Sequence, residues 1–192
     1  LSHGNLAHNM IACGTECLGL GHHDVAVSWL PQYHDMGLIG YFLQPAFCGG
    51  SATTMAPMTF LHKPGLWLHT ISAHQAMYVS APNFAYQRCV DKLADIVKEY
   101  PVASLSLGQL KGVMNAAEPI RDSTLAAFAA AYQGAGFRPE QWATAYGLAE
   151  NVIYVSGYSH EPMMLQIDKP ALGDGRVLIS TQEDSSTVLV GC

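Results

Sequence analysis

Apolar positions along this chain switch between the helical and the strand period. Leu6, Met10, Cys13 and Cys17 recur at i, i+4, i+7 and i+11, the stripe of a helix laid on a sheet, with Ser2 placed to cap it and Gly19 and Gly21 to stop it. Residues 24–30 form an almost continuous apolar run ended by Pro31, as a strand covered on both faces requires. A helix is expected from about Asp35, carrying Leu38, Ile39 and Phe42 until Pro45 and the Gly49-Gly50 pair break it. A strand over 51–55, a helix opened by Pro64 through Trp67 and Ile71, and a strand over 76–80 come next. Pro82 opens a helix with Tyr86, Val90, Leu93 and Val97 on one face, closed at 99–101. Residues 110–114 read as a strand, Pro119 and Asp122 introduce a helix bearing Leu125, Phe128, Ala129 and Tyr132, and Ala143–Tyr146 is a buried strand running into a glycine turn.

Strands alternating with helices and punctuated by Pro and Gly imply parallel strands joined by right-handed crossovers, and so a layered α/β fold with a parallel sheet. From Ser156 the pattern weakens, with Gly157, Pro162, Pro170, Gly173 and Gly175 crowding a stretch that holds one clear strand, Arg176–Ser180. We read about 156–175 as a loop-rich insertion. Leu1 to Gly4 show neither an initiator Met nor a signal layout, and Thr187–Cys192 reads as a strand stopped in mid-course, so the expectation is an internal piece, incomplete at both ends.

Composition narrows the chemistry. With 49% hydrophobic and 12% charged residues, 192 residues bury a sizeable core in one domain. Nine Lys and Arg against fifteen Asp and Glu, a net charge of -6, leave no basic face for nucleic acid. Anionic phosphates would need backbone amides or a metal. Cysteines 13, 17, 48, 89 and 192 follow no CxxC or secreted spacing, which fits a reducing, cytoplasmic location, and no run of about eighteen apolar residues suggests a transmembrane segment.

The polar exceptions fall just after the strands, where open α/β sheets bind ligands. Tyr33-His34-Asp35 follows the first strand, Asn115-Ala116-Ala117-Glu118 the fourth, and Tyr146-Gly147-Leu148-Ala149-Glu150 the fifth. Tyr146 offers an aromatic face, Gly147 admits close approach, and Glu150 stands where a divalent cation could partner it, though the same letters also read as a strand-end turn with a solvated glutamate. His34 reads equally as a positioning group or as a packed histidine beside a helix-capping Asp35. A metal-dependent hydrolase using His22, His23, Asp24, His34 and Asp35 is the rival in another class; no His-x-x-x-His spacing supports it.

Four stretches in this order, Ser28–Gly40, Ala81–Tyr86, Asn115–Ile120 and Tyr146–Glu150, resemble the adenylate-forming enzymes, and most closely the fatty acyl-AMP ligases. The resemblance implies a partial N-terminal adenylation domain of the acyl-CoA synthetase/luciferase type over 1–192, without its C-terminal lid domain. It implies activation of a long-chain fatty acid with ATP and Mg²⁺ to an acyl-adenylate, passed to the phosphopantetheine arm of an acyl carrier protein, as in lipid, polyketide or lipopeptide biosynthesis. A fatty acyl-CoA ligase and a silent acyl- or nucleotide-binding module are the alternatives. It makes Glu150 the metal anchor and, with His34, the catalytic pair. Asn115, Ala116, Ala117, Glu118, Tyr146, Gly147, Leu148 and Ala149 become the nucleotide site, with Tyr146 on adenine, and His34, Asp35, Met36, Gly37 and Phe84 the acyl pocket. Ala149 stands where many of these enzymes carry a Thr that donates to the α-phosphate. Gln166–Leu172 looks like part of the family's insertion. The glycine-rich phosphate loop, the ribose-binding Asp and the catalytic Lys fall outside this sequence, so the chain by itself is expected not to catalyse.

Overall fold

Strands with almost no charge form the frame. A computed structural model describes residues 1–159, 162–182 and 185–192. Strands β1 (Val25–Ser28), β2 (Ser51–Thr54), β3 (Tyr78–Ala81), β4 (Gly112–Asn115), β5 (Trp142–Gly147) and β6 (Tyr154–Ser159) make one sheet in the order β2-β1-β3-β4-β5-β6. The first five run parallel and β6 returns antiparallel to β5. The expected layered α/β fold is present.

Side-chain alternation divides the two layers of helices. Val79 and Val113 face helices α5 (Pro64–Ala73), α6 (Asn83–Asp91) and α8 (Asp122–Tyr132), where Tyr86, Phe128, Phe137 and Trp142 interlock edge to face and Trp67 packs tilted on Tyr86. Tyr78, Ser80, Gly112 and Met114 point the other way, towards α1 (His3–Met10) and a bent helix composed of α2 (Asp35–Leu38), a π-helical stretch Ile39–Leu43 and α3 (Gln44–Cys48). Ser2 caps α1 in a capping box with Asn5, and α1 continues as a π-helix, Ile11–Cys17. At the lower end of the sheet, Lys111 Nζ donates to both oxygens of buried Asp24 at 2.8 and 2.9 Å.

Several expectations are corrected. Pro45 does not break the second helix; it stands in the first turn of α3, where the preceding π-helical widening removes the demand for its missing N–H, and Gly49 at φ 72° ends the helix. Leu38 and Phe42 are exposed there, while Ile39 is buried. The long helix after Pro82 is two, with a break at Lys92 before α7 (Leu93–Glu99), and a short α4 (Pro57–His62) precedes α5. Arg176–Ser180 is no strand: Ile179 makes one bridge to Ile167, and Val177, Leu178 and Ile179 are exposed. The pairing belongs instead to a hairpin, β7 (Met164–Asp168) with β8 (Ser186–Val190), separated by α9 (Lys169–Gly173). The stretch read as loop-rich thus holds β6, β7 and α9; His160 and Glu161 within it lie outside the described residues.

Candidate functional site

Between the sheet and the layer formed by α1 and the bent helix lies a largely apolar cavity of about 200 Å³. Its mouth is at the carboxyl ends of the strands, where His34, Asp35, Ala116, Ala117, Tyr146 and Gly147 meet. Inward it follows Met36, Ile39 and Gly40 on one side, Met10 and Cys13 on another, and Ser80, Tyr78 and Met114 on the sheet. Three of the strand ends singled out in the sequence therefore converge on one opening.

His34 stands at the foot of α2 and caps it with its own ring, 3.2 Å from the Met36 amide, whereas Asp35 is the first helical residue. The capping role expected of Asp35 thus falls to the histidine. Asp35 Oδ1 lies 2.7 Å from both Met36 N and His34 Nδ1. Accepting the Met36 N–H on Nδ1 places the hydrogen of the neutral ring on Nε2, the nitrogen left open to a ligand. Met36 is a buried wall of the cavity. Gly37 is not part of the wall: a Cβ there would lie 2.0 Å from the Pro31 carbonyl, so its role is to let α2 pack on that turn.

Ala116 is buried and Ala117 takes a left-handed φ of 71°, a costly conformation for alanine that turns the chain out of β4 at the mouth. Tyr146 is 54% exposed and flanks the opening. Gly147 is required by the bulge between β5 and β6, because a Cβ would come within 1.9 Å of the Ile153 carbonyl. Leu148 and Ala149 lie outside the cavity wall, where Leu148 N donates to Ile153 O at 2.9 Å and opens the one-turn helix Ala149–Asn151.

Glu150 sits in that turn, exposed, with no hydrogen bond or ion pair among the described residues. It faces a shallow depression adjoining the cavity; Asn9 and Tyr154 line both. No group of three or more metal-ligating side chains occurs among the described residues, so His22, His23, Asp24, His34 and Asp35 do not gather into the cluster that the hydrolase reading needs. A lone, unpaired carboxylate does fit a hard cation that keeps most of its waters.

Three further residues assigned to the site sit elsewhere or below it. Phe84 packs edge-on against Trp29, with ring centroids 5.8 Å apart, and lines a separate surface pocket with Glu118. Glu118 Oε1 accepts from the Phe84 amide in the first turn of α6, where an acidic group suits the helix terminus. Asn115 is fully buried beneath the mouth, with Nδ2 donating to Asn83 Oδ1 at 3.1 Å and its own Oδ1 unsatisfied.

Asn9 and Tyr154 escaped the sequence reading. Asn9 Oδ1 accepts from Tyr154 N at 2.9 Å, and Asn9 Nδ2 donates to the carbonyls of Tyr154 at 2.8 Å and Asn151 at 3.2 Å. One buried side chain thus ties α1 to the turn that carries Glu150. The available signal was its position, three residues after Leu6 on the apolar stripe. All five cysteines are free, and burial pushes the Cys13 thiol up to about 12, which keeps it protonated and unreactive beside the cavity.

The AMP-binding enzyme family matches residues 1–182. A medium-chain-fatty-acid–acyl-carrier-protein ligase of Teredinibacter turnerae is 36% identical over 199 aligned positions, covering 100% of this chain and 29% of that protein. A probable long-chain-fatty-acid–AMP ligase of Mycobacterium tuberculosis is 34% identical over 160 positions, covering 82% and 26%. Among solved structures, a fatty acyl-adenylate ligase of Legionella pneumophila in complex with acyl adenylate and pyrophosphate superposes with a TM-score of 0.90 at 34% identity, covering 99% of this chain and 33% of that one. The chain spans about a third of the length of these relatives. With strand ends, cavity mouth and fold all in agreement with that match, the chain belongs to the AMP-binding enzyme family, with relatives named as fatty-acid AMP ligases.

Proposed function

We propose that the whole protein to which this chain belongs joins a fatty acid to AMP, and that the acyl group then passes to the thiol of a carrier-protein phosphopantetheine arm. The observation that carries this reading is the apolar cavity that opens between His34, Ala116-Ala117 and Tyr146 at the carboxyl ends of the strands. A fatty acid entering it tail first leaves its carboxylate at the mouth, beside His34 and within the opening that the Tyr146 ring flanks. In the reaction a carboxylate oxygen attacks the α-phosphorus of ATP, the bond to the β-phosphate breaks, and pyrophosphate leaves.

Both reactants are anions, so positioning and charge neutralisation carry the rate. The His34 ring, oriented by the Met36 amide, would hold the substrate carboxylate by donating its Nε2 hydrogen to it. Tyr146 would stack on adenine, with the Ala116-Ala117 backbone as the opposite wall, made thin by small side chains. Glu150 would anchor Mg²⁺, which supplies charge neutralisation on the phosphates and usually needs only one or two protein carboxylates. No cysteine takes part.

The test incubates the full-length protein with ATP, Mg²⁺, saturated fatty acids from medium to long chain, and CoA, with products separated by mass. Acyl-AMP accumulation with little acyl-CoA is expected, together with at least about a hundredfold loss in Glu150→Gln, the scale of losing one electrostatic stabiliser. Abundant acyl-CoA would replace the proposal with a CoA ligase. No product with any acid, and ligand binding indifferent to Glu150→Gln, would replace it with a silent binding module.

A further inference from the structure

Away from the mouth the cavity is lined by Leu18, Leu20 and an unusual pair. Along the bent helix its wall runs Met36, Ile39, Gly40 and Gln44, so Gln44 lies eight residues, roughly 10–12 Å, further in than Met36. Facing it is Gly14, in the π-helical continuation of α1. A Cβ on Gly14 would lie 2.0 Å from Gln44 Nε2, so the glycine exists to let this amide lie across the cavity. Gln44 is 5% exposed; its Nε2 donates to Cys48 Sγ at 3.0 Å, and its Oε1 accepts no hydrogen bond among the described residues. An amide oxygen that has no protein partner and faces the cavity is not explained by packing, since a leucine or methionine would fill the same space and leave no acceptor for an apolar tail to desolvate.

Resting on the acyl-adenylate reading above, the geometry points to Gln44, held by the absent side chain of Gly14, as the stop that sets the length of the acyl chain. A tail reaching this depth meets the end of the amide; one more methylene must displace it or stack carbon on its unpaired oxygen. Shorter tails leave the deep end unfilled. Specificity for length then follows from the two residues at 14 and 44, and not from the mouth.

The test measures kcat/KM for adenylate formation by the full-length protein over a series of saturated acids differing by two carbons. Gln44→Ala opens the floor and moves the optimum to longer acids, changing the ratio between the next longer acid and the wild-type optimum by about tenfold or more, the scale of one or two methylenes in an apolar pocket. Gly14→Ala pushes the amide into the cavity and moves the optimum to shorter acids. In the double variant Gly14→Ala/Gln44→Ala the new methyl no longer meets an amide, so the shortening is reversed. Should Gln44→Ala not melt cooperatively, Gln44→Thr, also shorter than glutamine, takes its place. Length profiles of the folded Gln44 variants that coincide with wild type overturn the inference. Wild-type protein that adenylates no fatty acid overturns the underlying reading instead, so the two failures are told apart.

Discussion

Replacing Asn9 by Ala removes three hydrogen bonds at once, at 2.8, 2.9 and 3.2 Å, all to the segment that follows Glu150. A net value of about 1 kcal/mol for each places the loss at roughly 2–4 kcal/mol, since the side chain is buried and water does not fully replace it. Tyr154 O keeps its second donor, Asn151 Nδ2 at 2.8 Å, so the loss sits at the low end of that range. The effect should be local, because Asn9 contributes little to the aromatic core on the far side of the sheet. Amide hydrogen exchange read by mass spectrometry on a peptide spanning residues 148–156 is the appropriate assay. At about 1.4 kcal/mol per factor of ten, a loss of roughly 2–3 kcal/mol speeds exchange there about 30- to 150-fold. Exchange in peptides from α5 and α6 should stay as in wild type. Acceleration below about threefold in residues 148–156, or equal acceleration everywhere, would refute the view that Asn9 specifically holds the Glu150 turn.

Other perturbations have equally defined outcomes. Gly147→Ala drives a methyl into the Ile153 carbonyl and should destabilise the protein by about 1–3 kcal/mol in urea unfolding, with unchanged stability arguing against the bulge geometry. Lys111→Met leaves Asp24 buried with only the Gly21 amide as donor, and should cost about 1–3 kcal/mol, discounted because Lys111 is partly exposed. Cys13 has its pKa raised from 9.0 to about 12 by burial, so it should resist iodoacetamide at pH 8 in folded protein and react on unfolding. The same shift gives a stability contribution that is complete below about pH 9 and is lost as the pH rises towards 12, measurable as a falling melting temperature that Cys13→Ala makes less steep.

The parallel sheet was legible because its strands carry two unambiguous signals: near-continuous apolar runs and Pro or Gly at their ends. What the sequence hid has physical causes. Pro45 reads as a helix breaker only if the ladder before it is α-helical; a π-helical turn removes the hydrogen bond that proline cannot make, and no side-chain pattern announces that widening. Likewise Val177, Leu178 and Ile179 have the composition of a strand, yet beside β7 they form only the single bridge Ile179 to Ile167, on the edge that β8 does not take, and stay exposed.

The mouth of the cavity was readable for the same reason as the sheet: each motif residue follows a strand, and parallel strands bring their ends together. The supporting groups were not, because their meaning depends on contacts over long sequence separations. Asn9 acquires its role only when Tyr154, 145 residues away, is placed against α1. Gly14 looks like a weak point in a helix until Gln44 lies across from it. Glycines within helical patterns and amides on apolar stripes therefore hold much of the information about this site that strand-end motifs lack. Phe84 and Glu118 carry the opposite lesson, since they follow or adjoin strand ends in the sequence and are drawn away from the cavity by their own bond across the start of α6. Position after a strand brings a residue to the ligand-binding end of the sheet; whether it reaches the ligand is settled by which neighbour claims it first.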